Sequence, residues 1–225
     1  MPKSKSVIDQ SQISEATNHV VLAGTLDAAP SYSHEFDGVK FYSIRVKVMR
    51  ASGIKYDVLH AFIPENYLVI DQVLLDTGVR VKLEGYLVQS ELKDMSDVSV
   101  VTETIKVISS EVRDENCLII GGTIHRIFDL RSVNDSKRVV KPMILKHSVS
   151  NGEKSRNLTI KVSAWNSTAR LVDDRYKLGD KVFIRGQLES KIVRLDKQKK
   201  EKKSSVVLHE ASAAVILDIE SKEAE

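Results

Sequence analysis

The chain has 225 residues, of which 42% are hydrophobic, and its 34 Lys and Arg against 31 Asp and Glu give a formal net charge of +3. This length suits two domains of roughly 100 residues each. No apolar run approaches the roughly 18 residues of a membrane helix, so we expect no membrane partner. The single cysteine, Cys117, excludes an internal disulfide and is typical of a cytoplasmic protein.

The chain begins with a polar segment, residues 1–17, which contains basic residues but lacks the apolar stretch of a secretory signal. We expect it to be a flexible arm. The first predicted strand, "NHVVLAGTL" at Asn18–Leu26, is repeated 98 residues later as "NCLIIGGTI" at Asn116–Ile124. A later strand, "GVRVKLEGYL" at Gly78–Leu87, is repeated 101 residues on as "GDKVFIRGQL" at Gly179–Leu188. Two widely separated blocks with nearly equal offsets indicate a duplicated domain.

The duplication sets the predicted domain bounds. The segments are the arm 1–17, a first domain 18–109, a polar linker 110–115, a second domain 116–219 and a short acidic tail 220–225.

Within each copy, apolar and polar residues alternate, which is typical of strands with one buried face. Examples are "FYSIRVKVMR" in the first copy and "NLTIKVSAW" in the second. A segment with helical spacing, "NSTARLVDDRYKLG", follows the latter. Gly85 and Gly186 lie inside predicted strands, where glycine favours the sharp coiling of a small barrel. The order of elements predicts an all-β protein with short helices, built from two tandem five-stranded Greek-key barrels of the OB type.

Charge differs strongly between the copies. Residues 1–115 have 12 basic and 17 acidic residues, a net charge of −5, whereas residues 116–219 have 21 and 11, a net charge of +10. A strongly basic domain favours an anionic partner, most commonly nucleic acid. The alternative is a basic surface that is merely well solvated.

A lysine-rich run lies between the fourth and fifth predicted strands of the second copy, in a hairpin that often contacts oligonucleotides in OB folds. Its candidate phosphate contacts are Arg194, Lys197, Lys199, Lys200, Lys202 and Lys203. Arg185 and Lys191, on the preceding strand, would continue this basic surface, since alternation places both on the outer face together with Phe183. Arg156 and Arg170 are additional candidates. Charge runs are also commonly no more than solvated loops, so this alternative stays open.

The sequence lacks the usual signatures of enzymes and metal centres. The six His residues are scattered, without a cysteine cluster or the His-x-x-x-His spacing of a zinc site. No Gly-rich phosphate loop or Gly-x-Ser-x-Gly motif occurs. We therefore expect no enzymatic activity, no metal and no cofactor.

Three of these segments together resemble the bacterial single-stranded DNA-binding protein family. They are "NHVVLAGTL", "VSAWNSTARLV" and "YKLGDKVFIRGQL". The first copy, with "YSHEFDGVKFYSIRVKVMRASG", resembles the tandem two-barrel variety found in Gram-positive bacteria and their phages. Members of this family bind single strands by stacking bases on aromatic rings within a basic groove.

The resemblance implies particular site residues. Tyr56 and Phe62 occupy the positions of two family aromatics on the third strand of the first copy, and Trp165 occupies the later of these positions in the second copy. Lys161 lies on the same predicted strand face as Trp165. Each ring has a structural alternative, because a lone aromatic can equally pack in a core or against a neighbouring domain.

The sequence thus supports two hypotheses. In the first, the chain is a non-enzymatic, sequence-tolerant single-stranded DNA-binding protein of replication, recombination or repair, in the cytoplasm of a bacterium or of a phage host. In the second, it is an OB-fold scaffold that binds replication or recombination proteins, as the acidic first copy favours. RNA remains an alternative ligand. By analogy with the family, two such chains would assemble as a dimer with four barrels.

Overall fold

The computed structural model describes residues 17–92, 95–133, 138–151, 154–195 and 204–219. In the first repeat the strands are β1 (Asn18–Leu26), β2 (Ser31–Phe36), β3 (Val39–Met49), β4 (Tyr56–Pro64), β5 (Val69–Ile70), β6 (Val73–Leu74), β7 (Arg80–Leu92) and β8 (Met95–Val107). In the second they are β9 (Glu115–Ile127), β10 (Arg131–Ser132), β11 (Val139–Asn151), β12 (Lys154–Trp165), β13 (Lys181–Leu195) and β14 (Ser204–Asp218), with helix α1 (Asn166–Arg175) between β12 and β13.

Alternation along the strands sets the core, as the sequence predicts. On β3 the side chains of Ile44, Val46 and Val48 are buried, whereas Arg45 between them is exposed. On β12 the side chains of Leu158, Ile160, Val162 and Ala164 are buried with the same two-residue period, and Ser163 is buried as well. Buried apolar residues of both repeats form one continuous cluster. Burial of this kind contributes roughly 25 cal/mol per Å² of apolar surface.

Each repeat closes into a five-stranded barrel. In the first, β1, β7, β8, β4 and β3 are neighbours in that order, and β3 pairs back onto β1. In the second, β9, β13, β14, β12 and β11 follow the same order, and β11 pairs back onto β9. The parallel contacts β4–β8 and β12–β14 complete the two barrels. The predicted all-β fold of two tandem OB barrels is therefore confirmed.

A glycine bulge and an asparagine anchor recur in both repeats at the strand that closes the barrel. The ladder shifts register between Glu84 and Gly85, and again between Arg185 and Gly186. Two residues after Gly85, the main chain of Leu87 is held by the side-chain amide of Asn18, through bonds of 2.9 Å in both directions. Asn116 binds Leu188 in the same way, at 2.8 and 2.9 Å. The asparagine shared by the two repeats thus fixes the chain beside each bulge.

The repeats differ at the place of the predicted helix. In the second repeat α1 buries Ala169 and Val172 against the barrel. In the first, Pro64 ends β4, and a single 3-10 turn at Glu65–Tyr67 is followed by the short β5–β6 hairpin. Among the described residues, the first repeat has no α-helix at this position. The β-branched residues after the turn favour strand over helix, which accounts for the difference.

The two barrels share one sheet. Strand β1 pairs with β9 antiparallel, so that Val20 lies opposite Leu118 and Leu22 opposite Asn116. Because β9 repeats the sequence of β1, this ladder relates the barrels by an approximate two-fold axis. The result is a continuous sheet of twelve strands rather than two domains joined by a linker alone.

Long hairpins cross the same axis. The hydroxyl of Ser190, on β13, accepts a bond from the main-chain N–H of Val58 at 3.1 Å. In the symmetry-related place, the side-chain oxygen of Gln89, on β7, accepts one from the N–H of Thr159 at 2.8 Å. Each hairpin therefore binds the third strand of the other barrel.

One of these two contacts carries additional charged groups. Asp57 accepts bonds from Arg50 at 2.8 Å and from the N–H of Ser190 at 2.7 Å. Asp97 on β8 accepts bonds from the main-chain N–H of His209 at 2.7 Å and from its ring Nδ1 at 2.9 Å. Asp57 and Asp97 are almost fully buried. We call this cluster of Arg50, Asp57, Asp97, Ser190 and His209 the interdomain seam.

In the part of the chain that the structure describes, no helix is long and apolar enough to span a membrane.

Candidate nucleic-acid interface

The outer face of β3 and β4 gathers aromatic and basic side chains in the first repeat. Alternation puts Tyr56 and Phe62, both predicted site residues, on this face together with His60. Strand register then places Arg45 opposite His60 and Ser43 opposite Phe62. We call this face of β2, β3 and β4 the first platform.

Two further rings extend the first platform. His34, from β2, stacks on Phe41 with ring centroids 5.2 Å apart and planes within 7°. The same His34 meets the ring of Phe62 edge-on at 5.3 Å. Three neighbouring strands therefore present adjacent ring surfaces at one end of the face, a geometry that suits the stacking of planar ligands.

The first platform has two basic side chains although its repeat is acidic in composition. Arg45 and Lys47 lie on it, on the same strand as Phe41. Several carboxylates of this half of the chain are engaged elsewhere: Asp57 in the seam, Asp114 with Arg80 at 2.8 Å, and Glu115 with Lys82 at 2.7 Å. Net charge by composition is thus a poor guide to the charge of this surface.

Sequence reasoning missed His34, Phe41, Arg45 and Lys47 as site residues. The signal for three of them was present, because alternation in "FYSIRVKVMR" puts Phe41, Arg45 and Lys47 on one face. His34 had no such signal, since the bulge between Tyr32 and His34 shifts its register against β3.

The corresponding face of the second repeat has fewer rings. Trp165 lies opposite Val140, and Lys161 lies opposite Ile144. Lys161 is exposed and Trp165 is partly exposed, both on the outer side of β12 as expected. We call this face of β11 and β12 the second platform; its stacking surface rests on Trp165.

Arg185 and Lys191 lie in different surroundings. Arg185 is exposed in a hollow that Trp165 and Cys117 also line, whereas Lys191 forms an ion pair with Glu210 beside Lys161. The bulge between Arg185 and Gly186 interrupts the alternation that would have aligned them. Phe183, expected to point outward with Arg185, is only 3% exposed.

Cys117 beside Arg185 is a poor nucleophile. Burial raises the pKa of its thiol above the ordinary value, although Arg185 acts in the opposite direction.

The remaining predicted contacts divide into two groups. Arg170 is exposed on α1. Lys197, Lys199, Lys200, Lys202 and Lys203 lie outside the described residues, as do the side chains of Arg156 and Arg194. Among the described residues, no group of His, Cys, Asp and Glu is arranged to hold a metal ion.

Both the sequence and the structure of this chain are similar to those of known proteins. Residues 115–214 match the model of the single-strand binding protein family. Over both barrels, the chain is similar to the wild-type single-stranded DNA binding protein from Thermus aquaticus, with a TM-score of 0.66 and 19% identity over 93% of this chain and 96% of that one. A deletion mutant of the same protein gives a TM-score of 0.67 and 20% identity over 92% and 96%. No curated protein sequence gives a significant match.

These findings confirm the family resemblance inferred from the sequence, through the family match of the second repeat. At 19–20% identity, the structural likeness extends the same fold to both repeats.

Proposed function

We propose that this chain, whose second repeat matches the single-strand binding protein family, binds single-stranded DNA without sequence preference. The observation that supports this most directly is the first platform, where Phe41 and Phe62 lie beside Arg45 and Lys47. The rings lie at one end of this face and the two cations follow along β3, so bases and phosphates of one flexible strand can be bound together. The second platform contributes Trp165 and Lys161.

The energetics follow from general physical chemistry. Each base stacked on an aromatic ring contributes about 1–3 kcal/mol, and every base has a π-face, so stacking tolerates any sequence. Each phosphate contact releases counterions and steepens the salt dependence of binding, with a slope of about −0.7 per contact for single strands. Binding of this kind involves no bond-making chemistry. A role in DNA replication, recombination or repair in the cytoplasm is consistent with it.

The first prediction concerns binding itself. Oligo-dT should quench the fluorescence of Trp165, the only tryptophan, and the affinity should fall steeply between two salt concentrations. Phe62→Ala should weaken binding by about 5- to 150-fold, which corresponds to the loss of one stacked base. Phe128→Ala is the control, because Phe128 is an exposed ring that follows β9, a strand of neither platform.

The scaffold hypothesis gives the opposite result in this titration. If oligo-dT does not bind even at low salt, the chain is an interaction module and the proposed function is wrong. Equal affinity for oligo-dT and oligo-rU would instead make RNA an equivalent ligand.

A second prediction concerns the lysine-rich run. Replacing Lys197, Lys199, Lys200, Lys202 and Lys203 by Gln should flatten the salt dependence by about 0.7 for each lysine that contacts phosphate. Salt titration of oligo-dT binding measures this slope directly. An unchanged slope would remove this run from the binding surface.

A further inference from the structure

Each platform has an exposed or partly exposed ring whose face is covered by a cation. In the first platform, the Lys47 ammonium lies 3.8 Å from the centroid of the Tyr56 ring. Tyr56 is 48% exposed, and it lies two residue pairs further along the ladder than Lys47. In the second, the Arg138 guanidinium carbon lies 5.0 Å from the centroid of the Trp165 ring. Both rings are among those that the sequence predicts to stack bases.

The two covered rings lie at opposite ends of the third strand of their barrels. Tyr56 begins β4, and Trp165 ends β12. The two contacts are therefore not copies of one inherited pair. They are separate contacts in which a basic residue of the neighbouring strand, or one immediately before it, lies over an exposed ring.

We propose that Lys47 and Arg138 are phosphate-binding residues that cover the ring faces in the free protein and transfer to a phosphate when a base stacks there. This inference rests on the proposed function and names two residues of that site. A cation over an exposed ring contributes about 0.5–1 kcal/mol, less than the 1–3 kcal/mol of a stacked base. A base can therefore displace the cation at a net gain.

The displaced cation then lies beside the nucleotide that displaced it. A lysine or arginine stem can redirect its charged group without moving the backbone. Stacking and phosphate neutralisation are in this way coupled at the same nucleotide. Before DNA binds, the covering cation also shields ring surface from water.

Two other cations of the platforms pair with carboxylates. Arg45 pairs with Asp27 at 3.4 Å, and Lys191 pairs with Glu210. These side chains must give up a carboxylate before they bind phosphate. Lys47 makes no ion pair with a carboxylate among the described residues. To bind phosphate it gives up only its contact with the Tyr56 ring.

The test uses Lys47→Met and Arg138→Met, which keep an apolar stem over the ring but remove the charge. Each variant should bind oligo-dT several-fold more weakly at low salt and lower the salt slope by about 0.7. Lys47→Arg should restore the slope. Arg175→Met is the matched control, because Arg175 lies at the end of α1, where it is exposed and pairs with Asp218.

The outcomes distinguish failure of the proposed role of Lys47 and Arg138 from failure of DNA binding itself. If wild-type protein binds oligo-dT but both methionine variants bind as tightly or more tightly, with unchanged slopes, the cations merely block the rings and this inference is wrong. If wild-type protein fails to bind, the proposed function and the inference are both overturned. Unchanged midpoints of thermal unfolding would show that the variants are folded.

Discussion

Gly186→Ala is expected to destabilise the protein by about 3 kcal/mol or more, the upper end of the usual cost of overpacking. A Cβ added to Gly186 would lie 2.0 Å from the carbonyl oxygen of Ser212 on β14. That oxygen belongs to the backbone of the neighbouring strand, so no side-chain rotation can relieve the clash. The bulge that closes the second barrel would have to open.

The first repeat should behave in the same way. Gly85 has the equivalent contact, 2.0 Å from the carbonyl oxygen of Val101, so Gly85→Ala should cost a similar free energy of unfolding. Urea unfolding followed by far-ultraviolet circular dichroism measures both values.

The matched control is Gly38→Ala, at a position where an added Cβ meets no atom within 4 Å. Its cost should be limited to the strain of a positive φ, about 1–2 kcal/mol. If Gly186→Ala were no more destabilising than Gly38→Ala, the contact with the Ser212 carbonyl would not be the reason that position 186 requires glycine.

Asp97→Asn is expected to cost about 2–3 kcal/mol at pH 7, because it replaces a buried carboxylate that accepts two hydrogen bonds. The carboxylate of Asp97 accepts two bonds from His209 of the other repeat. The ring Nε2 of His209 donates to the carbonyl of Val58 at 3.2 Å, so both ring nitrogens face acceptors. Removing the charge of Asp97 leaves this ring without its anionic partner inside the seam.

The pH dependence of stability provides a second measurement on the same variant. Burial raises the pKa of Asp97, but the hydrogen bonds from His209 and Val98 outweigh it, and the pKa lies below its ordinary value. A carboxyl whose pKa is lower in the folded than in the unfolded chain stabilises the fold at neutral pH. That contribution is lost as the pH falls through the folded-state pKa. The stability difference between wild type and Asp97→Asn should therefore shrink in acid.

His60 adds a second loss of stability in acid. Burial, together with the neighbouring His209 at a ring-centroid distance of 4.9 Å, lowers the pKa of His60 to about 4. The unfolded chain takes up this proton near the ordinary value of 6.5, so stability falls as the pH drops from about 6.5 towards 4. Urea unfolding at pH 7, 5 and 4 measures the decline due to His60, whereas the part specific to Asp97 is lost only at lower pH, below the ordinary carboxyl pKa of 3.8.

Asp27→Asn is the control for the seam variant. Asp27 pairs with Arg45 at 3.4 Å in a partly exposed site, where such pairs contribute about 0–1 kcal/mol. Equal losses for Asp27→Asn and Asp97→Asn would contradict a special role of the seam.

Several features of this protein follow from its sequence by itself. Alternation with a period of two determines which strand face is buried, because successive side chains of a strand point to opposite sides. The two sequence offsets reveal the duplication, and together they predict two small barrels. The interior positions of Gly85 and Gly186 indicate sharp coiling, and the structure adds the carbonyl contacts that require glycine there.

Other features depend on contacts between distant parts of the chain. The pairing of β1 with β9, the seam of Asp57, Asp97 and His209, and the ring cluster of the first platform bring together residues far apart in sequence. A bulge changes which residues share a face, as it does for Arg185 and Lys191, and a single sequence does not show where the register shifts. Summed charge likewise does not show where each charge lies, so a repeat of negative composition has an aromatic face with two basic side chains. The tertiary structure determined these features because each depends on the register and packing of several strands at once.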